Sequence, residues 1–259
     1  FIENNTFKNL NQLILLDLSN SYIKDISREL FEGLYHLETL ILTFISIENI
    51  NFEKLENIKY LILEKNKISS SKNFQGLKHL NDLNLNENRI KVLEKYSFKN
   101  SSNLNSISLS NNLIEMIEEY AFFDLKYSFS SLNLDRNKLL FIKKYYFQDL
   151  FNLENLDLHM NKISKIDFDS FHNLPILNLL DLSDNCIFRI DSRLFSNLKK
   201  LTNLNLKNNL ILNFESKVFS NLDNLIELDL SGNRIFTLDS DIFSFLLKIK
   251  TIKLNNNYM

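Results

Sequence analysis

The chain has 259 residues and a net charge of −2, with 44% hydrophobic and 24% charged residues. Lys and Arg alternate with Asp and Glu, a balance that predicts neither nucleic-acid nor membrane-surface binding. Its longest apolar stretches are broken by polar residues every two or three positions, which excludes a spanning helix, and no basic start followed by an apolar run marks a signal peptide. Cys186 is the only cysteine and forms no internal disulfide, so it says nothing of redox compartment and reads as a filler beside Asn185. With one proline, Pro175, and three glycines, Gly33, Gly76 and Gly232, no linker interrupts the chain, and a single domain over 1–259 is expected.

One grammar recurs from end to end: LxxLxLxxNxIxxIxxxxFxxLxx, as in Leu177, Leu180, Leu182, Asn185, Ile187, Ile190, Phe195 and Leu198. A partial coil, Ile2 to Gln12, comes first and carries the N-glycosylation acceptor Asn4-Asn5-Thr6. Ten full repeats then start at Leu13, Leu37, Ile58, Leu80, Leu104, Phe129, Leu153, Leu177, Leu201 and Leu225, and a last partial coil begins at Ile249. Neither end carries a polar or disulfide-bonded cap, so the chain is expected to be an excerpt of a longer protein. Self-similarity at this period marks a leucine-rich-repeat solenoid, an α/β-type fold. The expected form is a curved horseshoe, with a parallel β-sheet on its concave face and a convex face of irregular or short helical segments. Within each repeat the leucines alternate as in a strand with one buried face.

The asparagine column runs Asn66, Asn88, Asn112, Asn137, Asn161, Asn185, Asn209, Asn233 and Asn257. An amide offers two donors and an acceptor to backbone groups that the turn would otherwise bury unpaired, so the column reads as scaffold. The phenylalanine column, Phe7, Phe31, Phe74, Phe98, Phe122, Phe147, Phe171, Phe195, Phe219 and Phe243, reads as an interior spine.

Departures from the grammar locate candidate contact residues. The repeats at Leu37 and Ile58 have 21 and 22 residues, and Ser21 and Ile45 stand where the asparagine belongs. On the expected outward face of these strands lie Leu15, Ile41, Phe44, Tyr60 and Ile62, an apolar group where later repeats are polar. The outward strand positions as a whole carry ten acids against four bases, and the later coils supply Asp135, Asp157, Asp181 and Asp229, all expected to be exposed. Such a face steers a basic partner. His159, outward in the same coils, is a further contact candidate. A second acceptor, Asn100-Ser101-Ser102, lies on a return segment where Ser101 replaces the usual leucine, so Asn100 is expected to be exposed. Nothing points to catalysis. His36, His79, His159 and His172 fall in different coils without metal-ligand spacing, and no nucleophile elbow or phosphate-binding loop is present. No enzyme activity, cofactor or metal is expected.

The 24-residue form with Phe between Ile and Leu resembles the typical subclass of leucine-rich repeats, found in ectodomains of Toll and Toll-like receptors, chaoptin-like adhesion proteins and Slit-like ligands. The resemblance covers essentially the whole chain. It implies a protein-binding module, part of the extracellular domain of a receptor or adhesion protein, that holds a protein ligand or cell-surface partner on its concave face. No nucleic acid and no direct membrane insertion are expected, and a homodimer is a further candidate. The alternative is an intracellular scaffold or regulatory subunit on the same coils.

Overall fold

A computed structural model describes residues 2–23, 26–52, 54–125 and 127–259. Two compact units divide the chain, Phe1–Phe129 and Ser130–Met259. In the first, strands β1 (Leu15–Asp17), β2 (Thr39–Ile41), β3 (Tyr60–Ile62), β4 (Asp82–Asn84) and β6 (Ser106–Ser108) pair in parallel, one per coil, and the short strands β5 (Val92–Leu93) and β7 (Met116–Ile117) pair separately. In the second, β8 (Ser131–Asn133), β10 (Asn155–Asp157), β12 (Leu179–Asp181), β13 (Asn203–Asn205), β14 (Glu227–Asp229) and β15 (Thr251–Lys253) do the same, and β9 (Phe141–Ile142) pairs with β11 (Lys165–Ile166) on the return side. Helix is confined, among the described residues, to the 3-10 turns Arg28–Phe31 and Lys72–Phe74. The architecture is a parallel-sheet solenoid with almost no helix.

Alternation sets the faces. The middle residue of each three-residue strand from β1 to β14, such as Leu40, Leu83, Ile107, Leu156 and Leu204, is buried, while its two neighbours point outward; in β15 the middle Ile252 is half-buried. Burying one such side chain contributes roughly 1.5–3 kcal/mol.

Each rung asparagine pairs backbone groups of two successive coils. Asn209 donates from Nδ2 to the carbonyls of Leu182 (2.9 Å) and Leu206 (3.1 Å), and its Oδ1 accepts the Ile187 amide at 3.0 Å. Asn66 also covers the defective coil, accepting the amides of Ile45 (3.2 Å) and Ile47 (3.0 Å). The rings stack as expected, Phe98 on Phe122 at 5.8 Å, Phe147 on Phe171 at 6.1 Å and Phe195 on Phe219 at 6.4 Å. The short repeat at Leu37 is not a gap in this spine, since Phe52 stacks on Phe74 at 6.0 Å.

The residue before the rung adopts a left-handed backbone in coil after coil. Phe44 (φ 56°), Lys65 (57°), Glu87 (53°), Arg136 (53°), Met160 (51°) and Asp184 (54°) all do so, although only Gly232 in this column is a glycine. The amide of each donates to the next coil, as from Met160 to the Ser183 carbonyl at 3.0 Å and from Arg136 to that of His159 at 2.9 Å. Those bonds hold the unfavourable conformation in place.

Candidate functional site

The outward face of the strands carries most of the candidate contact residues, and each unit is described by itself. In the first, register sets Ile41 directly beside Ile62, between Asp17 and Asn84. Both isoleucines are half-buried, since neighbours in one ladder cover each other. Two residues earlier, Leu15, Thr39 and Tyr60 form the adjoining column, with Leu15 52% and Tyr60 42% exposed. Phe44 corrects the sequence reading. It lies beyond β2, at the left-handed corner, and is 64% exposed.

In the second unit, Asn133, Asp157, Asp181, Asn205, Asp229 and Lys253 share one register column. The three acids thus come together, with Asp157 beside Asp181 and an asparagine between Asp181 and Asp229. Every acid and amide in this column closes the turn after its strand. An oxygen accepts the amide two residues on: the His159 amide donates to Asp157 (2.9 Å), that of Ser183 to Asp181 (2.8 Å), that of Lys207 to Asn205 (3.1 Å) and that of Ser231 to Asp229 (2.9 Å). This is the Asx turn, for which Asp and Asn serve equally. The signal for it was in the sequence, as Asp and Asn interchange there while no other residue type does between Asn133 and Asp229.

The second oxygens face outward. Asp181 Oδ2 accepts Asn205 Nδ2 at 2.9 Å, Glu227 accepts Asn203 Nδ2 at 2.9 Å, and Lys253 Nζ lies 3.4 Å from Asp229 Oδ2. With Leu179 they border a shallow cavity of about 180 Å³ over β12 to β15. Burial pushes the Asp157 carboxyl up, helped by the carboxylates of Asp181 and Asp135 and opposed by the His159 amide and ring. Burial acts on Asp229 too, but the Ser231 hydroxyl and amide and the Lys253 ammonium outweigh it and hold that carboxyl below its usual range.

Two expectations need correction. The outward aspartates are not all exposed: Asp135 is 9% exposed, its Oδ1 is buried with no hydrogen-bond partner among the described residues, and its Oδ2 lies 3.4 Å from Arg136 Nε. It sits two residues past the strand column, where the chain has begun to turn inward. Asp157 is half-buried as well, and that burial is what raises its carboxyl. His159 occupies the same inner column, its Nδ1 2.8 Å from Ser183 Oγ and 3.4 Å from Asp184 Oδ2, while the Ser183 hydroxyl donates to Asp181. That last bond turns the serine proton away from the imidazole, so the trio has no nucleophile-and-base geometry.

Asn4 and Asn100 are both exposed on return segments. Ser101 beside Asn100 is buried and donates its hydroxyl to the Phe74 carbonyl at 3.0 Å, which fixes why a small polar residue replaces leucine there. Among the described residues, no group of three or more His, Cys, Asp or Glu is placed to hold a metal ion, and no helix is long and apolar enough to cross a membrane.

The leucine rich repeat family model matches residues 1–44, 78–129, 127–187, 151–211, 177–235 and 199–259. No curated protein matches the chain. Among solved structures, it is similar to a chain of the Drosophila Toll–Spatzle complex, with TM-score 0.91 and 25% identity over 97% of this chain and 34% of that one. The chain therefore spans about a third of that relative's length. It also shares its fold with a chain of the octameric complex of Latrophilin 3, Unc5D and FLRT2 (TM-score 0.82, 23% identity, covering 96% of this chain and 78% of that one). A chain of the TLR13–ssRNA13 complex has the same fold (TM-score 0.68, 24% identity, 98% and 45%).

Proposed function

The chain belongs to the leucine-rich-repeat family, and from that premise we propose that it is part of the extracellular domain of a receptor or adhesion protein, one that holds a basic protein partner against the strand face. As a repeat module its role is interaction, and the chemistry of recognition is display of side chains on a rigid ladder. The observation that carries the reading is the acid column Asp157, Asp181 and Asp229, whose turns leave an oxygen of Asp181 and of Asp229 directed outward. Clustered carboxylates attract Lys and Arg side chains and repel phosphate, so a protein partner is favoured over nucleic acid. Leu15, Ile41, Phe44, Tyr60 and Ile62 form a second contact area in the first unit, apolar enough to exclude water from a partner's side chains. The similar Toll chain was solved with Spatzle, which supports a protein ligand for this chain as well.

Testing the acid column requires neutral side chains that keep the turn, because lysine has no oxygen to accept the amide two residues on. Asp157→Asn, Asp181→Asn and Asp229→Asn together retain every turn bond and remove three charges. A phage-displayed library of constrained peptides is selected on the wild-type chain at low salt, with single-stranded RNA as a parallel probe. Arg- and Lys-rich peptides should be enriched, and the triple variant and moderate salt should both release them. Equal retention by the triple variant, or preferential binding of the RNA, ends this reading. The extracellular setting has its own check: expressed through a secretory pathway, the chain should carry a sugar at Asn100 that a glycosidase removes with a gel shift, and a secreted chain unmodified at Asn100 counts against it.

A further inference from the structure

We propose that one flank of the second unit is a docking surface for an acidic amphipathic helix of a partner protein. The flank is the stretch of each coil just past the rung asparagine, and its charge is the reverse of the acid column's. Alternation orders its side chains. Ile163, Ile187, Ile211 and Ile235, two residues past the rung, are fully buried, so the residues one and three past it face out. Backbone bonds set successive coils side by side here, the amide one past each rung donating to the preceding coil. Cys186 donates in this way to Ile163 (2.9 Å), Leu210 to Ile187 (2.8 Å) and Arg234 to Ile211 (3.0 Å).

Three residues past the rung, the column reads Leu140, Ser164, Phe188, Leu212 and Phe236. Its four apolar members are between 45% and 56% exposed. The fold does not call for them, because the same position holds Ser69, Lys91 and Glu115 in the first unit, all exposed. An exposed apolar run that the scaffold does not require marks a contact site. Beside it stand Lys138, Lys162 and Arg234, one past the rung, and Lys165 and Arg189, four past it. No acid occupies any of these three columns in the coils from Asn137 to Asn233. Arg189 is held by Glu215 at 2.6 Å, whereas Lys138, Lys162, Lys165 and Arg234 make no ion pair among the described residues. In a chain of net charge −2 this is a local surplus of positive charge around an apolar line.

That combination names the occupant. The unpaired cations call for carboxylates, and the aliphatic Leu140 and Leu212 call for apolar side chains, not for nucleobases, which stack on rings. An added strand finds no open ladder. The amides one past the rung are taken by the preceding coil, and those two past it by the next asparagine, as from Ile187 to Asn209 (3.0 Å) and Ile211 to Asn233 (3.2 Å). A helix fits the spacing instead. Coils lie roughly 4.8 Å apart and helix turns about 5.4 Å, so a helix along the stack sets one side chain per turn over each coil. From Leu140 to Phe236 is a distance of about 19 Å, or roughly 13 residues of helix. Apolar residues at i, i+4, i+7 and i+11 then meet the apolar column, and acids on both sides of them meet the cations.

Fluorescence anisotropy with a synthetic peptide of this pattern, leucines on one face and glutamates beside them, measures binding to the intact chain. The ordered peptide should bind, and a scrambled peptide of equal composition at least tenfold more weakly. Phe188→Ser with Phe236→Ser, and separately Lys162→Glu with Arg234→Glu, should each weaken binding at least tenfold. All four side chains lie outside the core, so the fold survives their loss. Asp157→Asn, Asp181→Asn and Asp229→Asn together should leave the affinity intact, which separates this surface from the acid column. Saturating peptide should also shield Cys186, exposed two residues before Phe188, from alkylation. The proposal is overturned if the ordered peptide does not bind, if scrambling or either flank variant leaves affinity unchanged, or if the aspartate variant loses it. An unshielded Cys186, or tighter binding of single-stranded RNA or phosphatidylserine vesicles than of the peptide, overturns it too.

Discussion

Asn185 illustrates how much one residue carries in this fold. Its Nδ2 donates to the carbonyls of Leu158 (3.0 Å) and Leu182 (3.1 Å), and its Oδ1 accepts the Ile163 amide at 3.0 Å, all in the interior. Asn185→Leu keeps the volume and strands three buried backbone groups, so a loss of at least about 3 kcal/mol is expected in urea denaturation. Asn185→Asp should recover little, since a carboxylate restores the acceptor and neither donor. This role was legible from the column of asparagines, because only an amide supplies that set of groups. The left-handed corner one residue earlier was not. Its occupants include Lys65, Glu87, Arg136 and Met160, types that signal no such backbone, and bonds to the next coil override their preference. The corner has its own test at Met160. Met160→Val should cost about 1 kcal/mol or more, because a β-branched side chain fits that region worst, while Met160→Gly should be close to neutral. Equal effects of the two would remove the backbone explanation.

At the scale of one strand and its turn, the alternation of leucines fixed which side is buried, and β10, β12 and β14 follow it. What alternation cannot convey is that the outward aspartate is also the turn's acceptor, since a charged face and an Asx turn ask for the same residue. The return half was less legible still: β5, β7, β9 and β11 are two residues long, too short for any period, and Phe52 joins the spine from a coil whose spacing is broken. The dual role of the column has a pH consequence at Asp157. Burial first, then Asp181 and Asp135, raise its carboxyl above the ordinary value, so ionisation is disfavoured in the folded state. For an acid raised in this way, folding is weakened above the folded-state pKa and the penalty disappears below the unfolded-state value. Asn133 and Asn205 make the same turn without charge. Asp157→Asn should therefore stabilise the protein at neutral pH, and the gain should shrink as pH falls through the raised value. Urea midpoints across pH 3 to 8 would show it, and a loss of stability at pH 7 would mean the carboxylate is needed for something the turn bond does not describe.

At the scale of the whole chain, the repeats read from residues 1–259 follow one another without a linker, whereas compactness divides the chain at Phe129 and Ser130. We propose that the two units nonetheless unfold as one domain, as a solenoid does when each coil is stabilised chiefly by its neighbours. The physics gives a way to ask. In a nearest-neighbour stack, a lesion in one coil propagates as far as the coupling between coils exceeds the intrinsic instability of each. Phe195 is fully buried in the second unit and stacked on Phe219, so Phe195→Ala should cost about 3–5 kcal/mol. Under single-domain behaviour, native-state hydrogen exchange should accelerate to a similar degree at the β4 amides of the first unit and the β12 amides of the second. If protection at β4 is untouched while β12 loses it, the chain is two cooperative units, and the continuity of its sequence would reflect repeated construction without shared stability.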